Sequence, residues 1–430
     1  MILFQGQVYP PERQDEILEK LEECINATRE TKTLDREQVI AAADRLRSRI
    51  LAGEFDALIK TFSDSITTEY LREAADIMKR ENIEFRLRTE LAGVVQENEI
   101  VPPYGISKAK ICYRPLGTLF HIAAGNVDGL PAFSVLEGLL TGNVNILKLP
   151  EADNGISIEI FLRMMEEEPL LKEYVYIFDT PSSDVQGMRK MADMSDGIVV
   201  WGGEAAVAAV RTLASPGAKI IEWGHKLGFA YLSGYEEKER DLRGLAKHII
   251  DTRQLFCSSC QTIYIDTEDA GDLHAFCKEF LPYLDEAAEQ NPVLEVGAVA
   301  EMTLRKYHAS LEAALCGEGE QEECYQGKKT SLTVCDDQEL ELSYMYGNCL
   351  VKALPRKDLL RTLRRAKGCL QTAGLVCAPE KRRQLTELLV RAGINRVMSA
   401  GHMSATFCGE AHDGEYPLRR YLRVVNIECD

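Results

Sequence analysis

The segment Arg253-Gln254-Leu255-Phe256-Cys257-Ser258-Ser259-Cys260-Gln261 carries two cysteines between a helical pattern that fades near Asp251 and an apolar run that begins at Thr262. Reactive groups are commonly presented on such connections. A thiolate at Cys257 can attack a carbonyl and hold the acyl group as a thioester. Activation requires a pKa lowered by local N–H groups or a positive partner. Cys-x-x-Cys is also half of a metal site, a redox dithiol, or a purely structural pair. No second Cys-x-x-Cys of suitable spacing is present and no thioredoxin-like start precedes this one, so no metal is expected. Cys260 is the less favoured nucleophile.

Four further segments have the residue types of an acyl-transfer and nucleotide site. In Arg114-Pro115-Leu116-Gly117-Thr118-Leu119-Phe120-His121-Ile122-Ala123-Ala124-Gly125-Asn126-Val127, a strand pattern runs into Gly125-Asn126. An asparagine there can aim its side-chain N–H at an oxyanion, or simply make a turn. His121 reads as a packed strand residue. In Gly142-Asn143-Val144-Asn145-Ile146-Leu147-Lys148-Leu149-Pro150-Glu151, Lys148 ends a strand where α/β proteins bind ligands. Lysine and carboxylate together can hold ribose hydroxyls; an ordinary charged strand end is the competing reading. Trp201-Gly202-Gly203-Glu204 joins a strand to a helix whose first N–H groups can meet a pyrophosphate. A plain tight turn explains it equally, since GxGxxG is absent. Glu222, in Ile221-Glu222-Trp223-Gly224-His225, closes a strand and is either an acid/base or an exposed strand-end carboxylate.

The elements that must position these residues follow from periodicity. Residues 1–95 read as helices: Ile17, Leu21, Cys24 and Ile25 recur at helical spacing, and Asp35 with Gln38 forms a capping signal before the stripe Val39, Ile40, Ala43, Leu46, Ile50. From about residue 110, short apolar runs at 117–122, 145–149, 174–178, 197–201 and 219–221 alternate with helical stretches, the signature of parallel strands with crossover helices. A second α/β series starts after about residue 235, with runs at 262–265, 349–353, 374–376 and 395–398, and residues 317–329 read as a polar, Gly-rich loop.

Composition narrows the function. A 430-residue chain with 45% hydrophobic residues is long enough for two or three domains and a cleft. A net charge of -18 argues against nucleic acid as the main partner. No apolar stretch long enough for a spanning helix occurs, and the first residues carry no basic region of a secretory signal. Thirteen scattered cysteines, an odd number, point to a reducing compartment, the cytoplasm.

Taken in order and spacing, these segments resemble the aldehyde dehydrogenase superfamily, most closely its LuxC-type branch, the fatty acyl reductases of bacterial bioluminescence. The match rests on RPLGTLFHIAAGNV, GNVNILKLPE, WGGEAAV and QLFCSSCQ, with weaker terminal matches at Gly393–Met398 and His412-Asp413-Gly414, and is good over about residues 110–265. The resemblance implies an α/β fold: a Rossmann-like cofactor domain and an α/β catalytic domain, here expected at residues 96–230 and 231–395. The helical segment 1–95 would pack on the first, and residues 396–430 would form a C-terminal, oligomerising segment. It implies that Cys257 is the nucleophile and that Asn126 is an oxyanion donor beside the Cys257 N–H. Lys148 and Glu151 would hold the adenosine ribose, Gly202 and Gly203 would line the pyrophosphate, and Glu222 falls at the general-base position. Two departures stand out. Glu222-Trp223-Gly224-His225 replaces Glu-Leu-Gly-Gly, and the usual Glu-Ile-Phe-Gly-Pro strand has no counterpart, with residues 339–346 as a replacement.

The implied activity is reduction of an acyl thioester, on CoA or a carrier protein, to an aldehyde through an acyl-cysteine. Glu151 favours NADH by bonding a 2′-hydroxyl, whereas the branch uses NADPH. The branch also implies an acyl-activating partner enzyme and a homo-oligomer, dimer or tetramer. A CoA-acylating aldehyde dehydrogenase running in the oxidative direction, and a silent carrier-binding scaffold, are the alternatives.

Overall fold

The structure, a computed structural model, describes residues 1–62, 74–94, 97–123, 129–292, 296–315 and 323–429. The chain divides into two compact units, Met1–Gly224 with Phe407–Asp430, and His225–Thr406.

In the first unit, five parallel strands form the core of a seven-stranded sheet in the order Val175–Phe178, Val144–Lys148, Thr118–Ile122, Gly197–Trp201, Lys219–Trp223. Numbered along the chain this is 3-2-1-4-5, the doubly wound Rossmann order, whose direction of winding reverses beside Thr118–Ile122. The interior strands are apolar along nearly their whole length because helices cover both faces. His121 is the exception, fully buried between Ser134 Oγ (2.7 Å) and Asn145 Oδ1 (3.0 Å). Burial brings its pKa down to about 4. A neutral ring that donates to Asn145 and accepts from Ser134 satisfies all three groups, so His121 is a packed strand residue, as its sequence context indicated.

The amino-terminal segment is not wholly helical. Ile2–Phe4 and Gln7–Tyr9 make a hairpin that extends the sheet antiparallel to Val175–Phe178. Its turn, Gln5-Gly6, has φ of 48° and 75°, the left-handed pair a two-residue hairpin needs. Strands of three residues are too short to show a period, which is why the helical reading ran through them. The helices Gln14–Thr31 and Arg36–Leu51 follow. The second starts at the expected capping box of Asp35 and Gln38, worth about 1 kcal/mol, and buries Val39, Ile40, Ala43 and Leu46. The carboxyl-terminal strand Leu422–Glu428 pairs with Ala109–Pro115, which pairs in turn with Asn98–Ile100.

The second unit holds a seven-stranded sheet in the order Glu323–Gln326, Ser331–Cys335, Asn348–Ala353, Cys260–Ile265, Leu227–Ser233, Leu370–Cys377, Arg396–Ser399. All neighbours are parallel except the first pair. The interior strand Leu227–Ser233 starts earlier than the second α/β series was expected to. It is buried throughout, so it shows no alternation, and its flanking glycines read as loop. The expected loop 317–329 is partly a strand: residues 316–322 lie outside the described residues, while Glu323–Gln326 is an edge strand. No helix among the described residues is long and apolar enough to cross a membrane, and none of their His, Cys, Asp and Glu side chains group as metal ligands.

Candidate active site

In the second unit, the cysteine loop is built by backbone geometry first. The helix Lys238–Thr252 stops at Arg253, whose φ is 50°, and Gln254 follows at 59°. Two successive left-handed residues without a glycine are unusual and need outside support. Gln254, almost fully buried, supplies it: Nε2 donates to the Cys260 carbonyl (2.8 Å) and Oε1 accepts from Gly347 N (2.9 Å). Gln261 Nε2 donates to the Gln254 carbonyl (2.7 Å), and Tyr346 N donates to the Arg253 carbonyl (3.1 Å). The turn closes on itself when Ser259 N donates to the Phe256 carbonyl and Phe256 N donates to Ser259 Oγ, both at 3.0 Å.

Cys257 stands at the crest of this turn. Among the described cysteines it alone is exposed, beside the exposed Leu255 and Phe256. Gln371, buried and second in its strand, places Nε2 at 3.5 Å from Cys257 Sγ, within reach of a sulfur acceptor. Cys260 is the reverse case. It is fully buried, and burial pushes its thiol up to about 12. A thiol held protonated at neutral pH is neither a nucleophile nor a metal ligand. The loop sits at the amino ends of its parallel strands, not the carboxyl ends where α/β folds usually hold ligands.

His248 anchors the loop from beneath. Its Nε2 accepts from Cys260 N (3.3 Å), which requires a neutral ring, and burial lowers its pKa to about 4. For His121 and His248 alike, the folded pKa lies near 4 against an ordinary 6.5. The unfolded chain therefore takes up protons first on acidification. The stability these rings contribute is complete above pH 6.5 and falls as the pH drops toward 4, by about 1–2 kcal/mol for each ring at pH 5. Urea unfolding at pH 7.5 and pH 5 measures the loss, and His248→Asn should show a smaller one. Equal pH dependence in both proteins would refute the assignment.

The first unit brings five of the sequence-selected residues to the carboxyl edge of its sheet. Lys148 ends its strand almost buried, with Nζ donating to Ser182 Oγ (3.1 Å). Burial lowers its pKa, while Glu151 and Asp179 pull it back up. Glu151 is exposed and opens the short turn Glu151–Asp153. Gly203 is the N-cap of the helix Glu204–Leu213, with no side chain capping the first turn, and open space stands where its Cβ would be. Gly202 N donates to the Trp223 carbonyl (3.2 Å). Glu222 pairs with Arg211 (2.6 Å) on that same helix. Asn126 lies outside the described residues. The helix Leu130–Leu140 that follows it forms one wall of an apolar cavity of about 280 Å³, with Leu46, Ile50, Phe55, Phe133 and Ile160 among the lining.

The sequence alone gave no sign of Gln371, His248 or Ser182, and Gln254 lay within the cysteine motif without a signal of its own. Glutamine and serine are common, and their roles arise from neighbours distant in the chain. Gln261 was within the motif but carried no signal of its own.

The family model for acyl-CoA reductase (LuxC) matches residues 32–424. The chain belongs to that family. Curated relatives of the LuxC chain include the long-chain acyl-protein thioester reductase of Aliivibrio fischeri, 23% identical over 74% of this chain and 66% of that one. Another is the long-chain acyl-protein thioester reductase 2 of Photobacterium leiognathi, 25% identical over 74% and 66%. The match thus spans slightly less than two thirds of these relatives' own length. Among solved structures, a lactaldehyde dehydrogenase superposes with a TM-score of 0.68 over 98% of this chain and 92% of that one, at 16% identity. Glyceraldehyde-3-phosphate dehydrogenase GapN from Methanocaldococcus jannaschii, complexed with NADP, gives 0.69 over 98% and 95%, at 13% identity. Betaine aldehyde dehydrogenase from Staphylococcus aureus, in complex with NAD+, gives 0.69 over 97% and 87%, at 14% identity. The fold is aldehyde-dehydrogenase-like, as the sequence resemblance implied.

Proposed function

We propose that this LuxC-family chain reduces an acyl thioester to an aldehyde through an acyl group carried on Cys257. The observation that carries the reading is the contrast within one motif: Cys257 is exposed at the crest of a braced turn, while Cys260 is sealed in the core as a thiol. Family membership and the names of the curated relatives support the substrate class.

A nicotinamide dinucleotide fits the first unit's sheet edge. Gly203 leaves room for a pyrophosphate at an uncapped helix start, and Lys148 presents a buried ammonium bonded to a hydroxyl. Trp223 Nε1 is a buried donor with no acceptor among the described residues. Lys148 and Glu151 would hold the adenosine ribose, and Gly202 and Gly203 the pyrophosphate. Bound there, the reduced nicotinamide supplies the hydride. Glu151 favours NADH, and rates with NADH and NADPH on one thioester decide the choice.

The chain's own residues perform acyl transfer. Cys257 Sγ, as thiolate, bonds to the acyl carbon, and the carbonyl oxygen takes the negative charge. Asn126 and the Cys257 N–H are the proposed donors to that oxyanion. Its collapse expels the carrier thiolate, which takes up a proton, and leaves the acyl group on sulfur. After reduction of the acyl carbon, a second collapse breaks the carbon–Sγ bond, frees the aldehyde and restores the thiolate. No water is activated in this sequence, so a general base at Glu222 is dispensable. Its carboxylate pairs with Arg211.

Intact-protein mass spectrometry after mixing with a panel of acyl-CoA thioesters tests the reading. One acyl mass is expected, mapped to Cys257 and discharged on adding reduced nicotinamide. An adduct on any other residue, or none with any thioester, would refute it.

A further inference from the structure

The chain has two tryptophans, and the fold places them side by side. Trp201 closes the strand Gly197–Trp201, Trp223 closes Lys219–Trp223, and the two are register partners with ring centroids 5.4 Å apart. The carboxyl-terminal segment adds a third ring. His412 packs 5.1 Å from Trp201 and 5.0 Å from Trp223. It is held in a small turn by paired backbone bonds with Glu415, at 2.8 and 2.9 Å. Arg420 fastens the same segment: its guanidinium lies 5.1 Å from the Trp223 ring centroid, pairs with Glu415 at 2.7 Å, and donates to the Ile220 carbonyl at 3.3 Å. Trp201 is fixed from the other side by Ser134 Oγ, which accepts from Nε1 at 3.1 Å.

These rings stand next to the turn the reaction uses. Gly202 directly follows Trp201 and donates its N–H to the Trp223 carbonyl. A glycine pair has no side chains with which to hold itself, so its amides are placed by whatever fixes the residues around it. Here those residues are the two indoles, and from the far end of the chain the His412 ring packs on both of them.

The geometry points to His412 as a positioning residue for the Gly202-Gly203 turn: its ring packs against both indoles and so sets the helix-start amides that follow Gly202 and are offered to a cofactor pyrophosphate. The inference rests on the reading of that turn as the pyrophosphate site.

The two tryptophans make the test direct, because indole emission from this protein reports on this cluster alone. NADH and NADPH are titrated into the wild type, His412→Ala, His412→Gln and His412→Phe while the emission is followed, with circular dichroism as the check on folding. Quenching is expected in the wild type. His412→Ala and His412→Gln should shift the emission and weaken cofactor binding about tenfold, raising the cofactor KM without a matching fall in kcat. His412→Phe keeps a ring in place and should restore most of the affinity. Wild-type affinity in whichever ringless variant folds would overturn the positioning role while leaving the cofactor site standing. A wild type that binds neither cofactor, by quenching or calorimetry, would overturn the pyrophosphate reading itself and the inference with it.

Discussion

Cys257→Ala is expected to lose acyl thioester reduction by a thousandfold or more, on the order seen when a covalent nucleophile is removed. The fold should survive, because the side chain is exposed at the crest of the turn. Nicotinamide binding should survive too, since Lys148, Glu151, Gly202 and Gly203 belong to the other compact unit. The three measurements are steady-state aldehyde formation, circular dichroism, and quenching of indole emission by the cofactor. Near-normal turnover in a folded Cys257→Ala protein would end the covalent mechanism. Cys260→Ala is the companion variant, and its buried thiol predicts retained acylation at Cys257.

The second large effect is expected at a residue with no reactive group. Gly228 lies in the interior strand Leu227–Ser233 of the second unit, directly under the cysteine turn. A Cβ there would stand 2.5 Å from the Ser259 carbonyl oxygen and 2.9 Å from the Ser258 carbonyl carbon. Both obstacles are backbone, so neither swings aside as a flexible side chain would. The register shift between Gly228 and Phe229 already bends the strand at this point. Gly228→Ala must therefore lift the turn, and a displacement of about 1 Å at a nucleophile can cost about a hundredfold in rate. The acylation rate read by mass spectrometry should fall by that order, with cofactor quenching unchanged. A folded Gly228→Ala protein that acylates at the wild-type rate would show that the turn is not held from below.

The local elements that carry the motifs were legible along the chain. The cysteine motif, the Gly-Gly turn at a helix start, the strand-end lysine and the Asp35 capping box all depend on residues within a few positions of each other, and short-range spacing reports them faithfully. The alternation of apolar runs and helices likewise announced α/β units, and the motif order disclosed the family. Some strands escaped. Ile2–Phe4 is too short for any period, and Leu227–Ser233 is buried on both faces and so carries no alternation.

Only the tertiary structure decided which of the two motif cysteines faces solvent, because burial of Cys260 follows from the strands on either side of it and not from its neighbours in sequence. The same holds for Gln371 beside Cys257, for Gly228 beneath it, and for His412 against Trp201 and Trp223. Each contact joins residues separated by tens to hundreds of positions. A periodic pattern says which face of an element is apolar; it does not say which other element will cover that face, and in a parallel sheet that choice is made by strand order and register alone.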